Sequence, residues 1–383
     1  VNSIATSIEE EIATELPLPE AITFPVFQET PISSVIDKTI TKDNINQISM
    51  LSLWGIGDVN RLVSAPDGKY IAAASSIGIF IFDAQSLKLE KYIDTRSWVI
   101  AIDFSPDSQT IATGDRDGLI QLWDTNTWQE SGTPLSGHTR AILDLAFSSD
   151  GTKLASVALD NTLIEWEVNS TDSQKMAQAE VIGGVTTVAY SADGTRIITG
   201  GNDFQINVWD ADNLTLLKTK AFSGKIVDIA SVKESSLFVI GGSDQKVAIL
   251  DISGDVSFTE VGALQFALTG VAVSPNGKLI GAGDISGGLT LWDVTDKKSE
   301  ELIRIKNSPP ENPGDINVPG SPHSLAFSPD GKLIFSGLHN GTLRSLDANT
   351  GTEVQQNQFL NAHVKKMAVS HNGQYLITQQ DNN

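Results

Sequence analysis

Ser148-Ser149-Asp150-Gly151, then Lys153–Ala158, then Asp160-Asn161, then Thr162–Glu167: these twenty residues decide how the chain folds. A tight turn, a short apolar run, a second turn and a β-branched run ending on Trp166-Glu167 make a strand, turn, strand unit. Asp-Gly tolerates positive φ and so places the first turn. Working outward, the unit recurs almost throughout the 383 residues. An acid closes a β-rich run at Asp83, Asp124, Glu167, Asp210, Asp251, Asp293 and Asp347, at intervals of 41, 43, 43, 41, 42 and 54. The residue before it is always bulky and apolar: Phe82, Trp123, Trp166, Trp209, Leu250, Trp292 and Leu346. Sixteen residues upstream of that position stands a turn residue, Asp107, Asp150, Asp193, Glu234, Asn276 and Asp330, with Asp67 one residue closer in the first copy. Six residues upstream lies the second turn, at Ser76, Asp117, Asp160, Asp203, Asp244, Ser286 and Asn340.

Each unit reads as three short strands followed by a weaker outer one; Val99–Ser105, Thr110–Gly114 and Leu119–Asp124 are examples. Many of these strands are apolar on both alternating faces, as in Ile79-Phe80-Ile81-Phe82. A small antiparallel sheet with two greasy faces cannot stand alone in water. A ring of such sheets, each packing on the next, buries every face. The expected fold is therefore all-β, a β-propeller.

Gly137-His138 with Ser156, Asp160 and Trp166 resembles the structural tetrad of the WD-repeat family, and the Trp-Asp pairs at 123–124, 209–210 and 292–293 are those that name it. The resemblance covers Val59 to about Gln380. It implies that His138, Ser156, Asp160 and Trp166 hydrogen-bond in a line that stiffens the blade. The second and fourth units keep Thr113, Asp117 and Trp123, and Thr199, Asp203 and Trp209, but lack Gly-His; the fifth has Leu250 in place of Trp. Those blades must lean on hydrophobic packing more than on a polar network. The Ile45–Asp83 segment resembles bacterial rather than eukaryotic members, including exported ones, which points to the cell surface or the extracellular space ahead of the cytoplasm.

An eighth unit begins at Val364–Ser370 and Tyr375–Thr378, and Ile45–Trp54 reads as an outer strand with no inner strands before it. Pairing the two would clasp the termini and remove open edges. The expectation is eight blades closed by this N-terminal strand, with seven blades and a loose C-terminal tail as the alternative, and Ile22–Phe27 as a further strand for the last blade. Residues 1–40, rich in Glu, Thr, Ser and Pro, read as a partly disordered acidic tether, and residues 41–383 as one propeller domain. The chain opens at Val1 rather than Met, and whether a leader, a tag or a lipid anchor was removed cannot be read from it. Ile305–Pro322 holds five of the fourteen prolines and reads as a surface loop, which accounts for the long interval.

Lys and Arg number 26 against 47 Asp and Glu, a net charge of −21. Such a field repels phosphate backbones and anionic lipid, so nucleic-acid binding is disfavoured. No apolar run approaches the ~20 residues of a membrane span. With no cysteine, disulfides, thiol nucleophiles and Cys-ligated metals are excluded. The five histidines show no zinc-binding spacing, and neither a nucleophile elbow nor a phosphate-binding glycine loop occurs. No catalytic residue, metal or cofactor is therefore expected.

What remains is a surface. In this family the turn between the second and third strands, and the loop entering each first strand, open on one "top" face. Those loops carry Trp54, Arg96, Trp98, Arg116, Arg140, Phe204, Phe222, Phe266 and His339. Aromatics and Arg dominate binding hot spots, although any single one could serve only to cap its blade. The expected function is a non-catalytic scaffold, a monomer presenting this face to a protein or peptide. The alternatives are a propeller hydrolase or lyase with acids converging on the channel, and a purely structural envelope protein.

Overall fold

The computed structural model describes residues 59–168, 173–285, 288–295, 299–305, 325–337, 342–358, 364–369 and 376–380. The chain divides into two compact units, Gly55–Val364 with Gln380–Asn383, and Val1–Trp54 with Lys365–Gln379. The larger unit holds seven four-stranded antiparallel meanders among the described residues. Their innermost strands are Val59–Ser64, Val99–Phe104, Ile142–Phe147, Val185–Tyr190, Ile226–Ser231, Leu268–Val273 and Leu325–Phe327. Each blade runs outward in sequence order, so its fourth strand lies at the rim. That strand is the polar one: all six residues of Leu216–Ala221 are exposed.

The core lies between blades rather than within them. Ala72, Ile79 and Ile81 of the first blade pack with Ile102, Ile111 and Trp123 of the second. Leu122 and Leu145 share a cluster with Trp166, and Val157 and Leu163 share one with Trp209. From the second blade to the seventh, the bulky residue before the closing acid thus packs onto the preceding blade. Where Trp is missing, Leu250 and Leu346 fill the same place at 0% and 2% exposure. Each such burial stabilises by about 1.5–3 kcal/mol.

Seven blades, not eight, close this ring. The inner strand of the seventh blade packs directly on that of the first. The lower turns show why no blade fits between them. Gly151 of the third blade lies against Pro106 of the second, Gly194 against Ser149, Gly331 against Pro275, and Gly68 of the first blade against Pro329 of the seventh. The last joint has the same geometry as the others. The strands Val364–Val369 and Leu376–Gln380, expected to begin an eighth blade, form a separate two-stranded sheet. The expected clasp strand Ile45–Trp54, the tether 1–40, Ile22–Phe27 and the proline-rich stretch from 306 lie outside the described residues.

Candidate functional site at the upper mouth of the channel

In the third blade the sequence-derived tetrad is a continuous line of hydrogen bonds. The Trp166 indole N–H donates to Ser156 Oγ at 2.8 Å, Ser156 Oγ meets His138 Nε2 at 2.7 Å, and His138 Nδ1 faces both Asp160 oxygens at 3.2 Å. Asp160 also accepts from the Thr139 amide at 2.7 Å, which ties the strand-entry loop to the blade. Burial holds the His138 ring below its ordinary pKa, against the pull of Asp160. The ring is therefore neutral at pH 7: Nδ1–H donates to Asp160 and Nε2 accepts from the serine. The second and fourth blades keep only the inner half of this line, Trp123 to Thr113 and Trp209 to Thr199, both at 2.9 Å.

Two mouths open on the channel. The upper one is a funnel of about 530 Å³. Asn60, Ile100, Leu143, Thr186 and Val227, the second residues of five innermost strands, line it together with Trp98, Arg116 and Lys225. Trp98 and Arg116 come from adjacent loops of one blade, and the guanidinium carbon stands 5.6 Å from the ring centroid, a cation–π contact. The Trp98 amide-to-amide link to Arg116, a 3.0 Å bond from the Arg116 N–H to the Trp98 carbonyl, fixes the two loops. The indole N–H of Trp98 is buried without a hydrogen-bond partner.

The other sequence-derived candidates divide. Arg96, Arg140 and Phe204 are exposed in loops at the same ends of their strands but do not line the funnel. Phe266 is half-buried beside it in sequence order but also absent from its lining. Phe222 turns into the core between the fourth and fifth blades, where its ring meets Phe258 edge-on at 5.1 Å. Trp54 and His339 lie outside the described residues.

Sequence reasoning missed Arg61. Its guanidinium reaches across the channel to Asp144 of the third blade at 3.5 Å and Asp228 of the fifth at 3.2 Å. The two acids each take a further backbone N–H, from Val188 and from Val271, in the innermost strand of the next blade. Burial raises the Asp144 carboxyl while Arg61 pulls it back down. A signal was present: Arg61, Asp144 and Asp228 each stand six residues before the lower-turn acids Asp67, Asp150 and Glu234. One repeat position thus holds one cation and two anions.

At the lower mouth Asp103 lines a cavity of about 440 Å³ with Phe104, Phe147, Tyr190 and a rim of prolines. Its oxygens accept the Phe104 and Phe147 amides at 2.9 Å, yet burial pushes the carboxyl up to about 7. Among the described residues no cluster of His, Cys, Asp and Glu could hold a metal ion, and no helix is long and apolar enough to cross a membrane.

The WD domain, G-beta repeat family matches residues 88–124, 128–167, 180–210 and 318–347. The seven sheets make the molecule a β-propeller, and four of its segments match the WD-repeat model. It is similar to the WD repeat-containing protein VIP3 of Arabidopsis thaliana, 24% identical over 170 residues. That match spans 43% of this chain and about half, 52%, of the relative. A chain in the crystal structure of a mitotic checkpoint complex superposes with a TM-score of 0.64 at 19% identity, covering 87% of this chain and 97% of that one. A chain of Kuenenia stuttgartiensis hydrazine synthase gives 0.65 at 13% identity, over 79% and 99%. U3-55K gives 0.61 at 23%, over 73% and 88%. At these identities the likeness shows the fold alone, and the fold is found both in a protein assembly and in an enzyme.

Proposed function

We propose that this propeller is a non-catalytic interaction module whose upper mouth, centred on Trp98 and Arg116, receives a protein or peptide partner. The observation that carries the reading is the cation–π pair beside an apolar funnel. Trp and Arg in such a setting bury area and supply hydrogen bonds together, the combination that concentrates binding energy. The checkpoint-complex chain of similar fold sits in a protein assembly, which supports the reading. Channel acids speak less for hydrolysis, because Asp144 and Asp228 are held by Arg61 and by backbone N–H groups. Among the described residues Asp103 is the carboxyl best suited to general acid–base work, and a turnover lost on Asp103→Asn would favour the enzymatic alternative. To test the proposal, proteins captured by the immobilised wild-type chain are compared with those held by Trp98→Ala/Arg116→Ala and by a lower-mouth variant, Pro106→Ala/Lys233→Ala. Partners lost only with the first variant are the expected result; equal capture by all three chains overturns it.

A further inference from the structure

We infer that the upper funnel is built for an acidic, apolar peptide segment: an Asp or Glu side chain set beside a Leu, Ile or Phe. This deepens the proposed function and rests on it. The first ground is charge. Acids outnumber bases 47 to 26, and among the described residues eight cations are held in ion pairs, among them Lys69 with Asp67, Arg196 with Asp210, Lys246 with Glu260 and Arg304 with Glu301. Arg116 and Lys225 are exposed and, among the described residues, have no acid within ion-pair distance. Both line the same funnel, one from the second blade and one from the start of the fifth.

The second ground is the floor. Two carboxylates and one guanidinium would by themselves attract a cation. Asp144 and Asp228, however, are 3% and 5% exposed and do not line the funnel, whereas Arg61 is 23% exposed and does. A ligand entering from above therefore meets the guanidinium, with the carboxylates behind it. The third ground is hydrogen-bonding capacity. Arg61, Arg116 and Lys225, which line this mouth, are donors with no acceptor capacity. Between these donors the wall is apolar, from Ile100, Leu143, Val227 and Leu159. A bare anion would leave that wall wet, and a neutral apolar segment would leave the two cations unmatched. A polyphosphate chain could neutralise the cations but has no apolar side chains to set on the wall.

A random twelve-residue display library is selected on the immobilised full chain. Enriched peptides are then titrated by fluorescence polarisation against wild type, Trp98→Ala and the charge-reversed Arg116→Glu/Lys225→Glu. A labelled single-stranded oligonucleotide serves as the phosphate arm. The expected peptides carry Asp or Glu next to Leu, Ile or Phe. Their affinity falls tenfold or more on Trp98→Ala, falls similarly on charge reversal, and the reversed chain selects Lys- or Arg-bearing peptides instead. Both reversed positions are exposed, so an unchanged melting temperature checks that the fold is intact. Neutral or basic peptides that still need Trp98, or an oligonucleotide that outcompetes the peptides at this mouth, overturn the acidic assignment and leave the mouth as a binding site. Peptides indifferent to both variants, or no enrichment at all, overturn the inference and the proposed function together.

Discussion

Asp103 shows how much one buried carboxyl can do at a channel mouth. Two amide donors and the distant guanidinium of Arg61 favour its charge, and burial outweighs them. Its folded pKa of about 7 lies above the ordinary 3.8, so the folded state binds a proton that the unfolded state has released. That contribution is complete below pH 4 and is lost as pH rises toward 7. The side-chain carboxyl ¹³C resonance of Asp103 is expected to titrate near pH 7, and wild type is expected to lose stability relative to Asp103→Asn as pH rises from about 4 to 7. A midpoint near 4 would show that solvent reaches the group freely. Nothing in the sequence marked this residue, because Asp103 stands at a repeat position occupied by Ala146 and Ala230 in other blades and belongs to no turn.

At the scale of the strand, the fit between neighbouring blades depends on what the second strand leaves out. Gly114 and Gly200 each stand one residue before the end of that strand, where the next blade's first core residue, Ile142 or Ile226, comes down on the backbone. A Cβ at Gly114 would collide with the Ile142 side chain, and both side chains sit on rigid strands. Gly114→Ala is expected to cost about 1–3 kcal/mol by overpacking, measured as a lowered denaturation midpoint with an unchanged slope. The added change Ile142→Val should recover part of it. The strands and turns themselves were legible in the sequence, since a period of about 42 residues with Asp-Gly turns admits few alternatives. Their count was not. A unit at the C-terminus that repeats the pattern reads the same whether or not it enters the ring, and the packing of the seventh blade on the first, with Pro329 against Gly68, decides it.

Across the whole molecule the same limit separates what could be read from what could not. Hydrophobic alternation reports which faces are buried, so the propeller followed from strands greasy on both sides. Convergence of side chains at a mouth depends on the angular order of blades, which sequence spacing carries only as a repeat position. Trp98 and Arg116 were found by residue type, while Lys225, Ile100, Leu143 and Val227 needed the ring to bring them together. Arg61 is the strongest case. Arg61→Leu would leave two carboxylates buried without a counter-charge and is expected to destabilise by about 3–5 kcal/mol in urea denaturation at pH 7. The deficit should shrink as pH falls and the acids take up protons, and adding Asp144→Asn with Asp228→Asn should restore much of the loss. A triple variant no more stable than Arg61→Leu alone would mean that the ion group is not what the arginine supports.

The arginine also imposes a timetable. Its second acid, Asp228, lies 167 residues further along the chain. At synthesis rates of about 5–20 residues per second, a nascent chain carries that guanidinium for on the order of 10–30 s before the second carboxylate emerges. The first blade is thus made early and locked late, and chaperones meet a half-built circle whose central cation is still waiting for its partner.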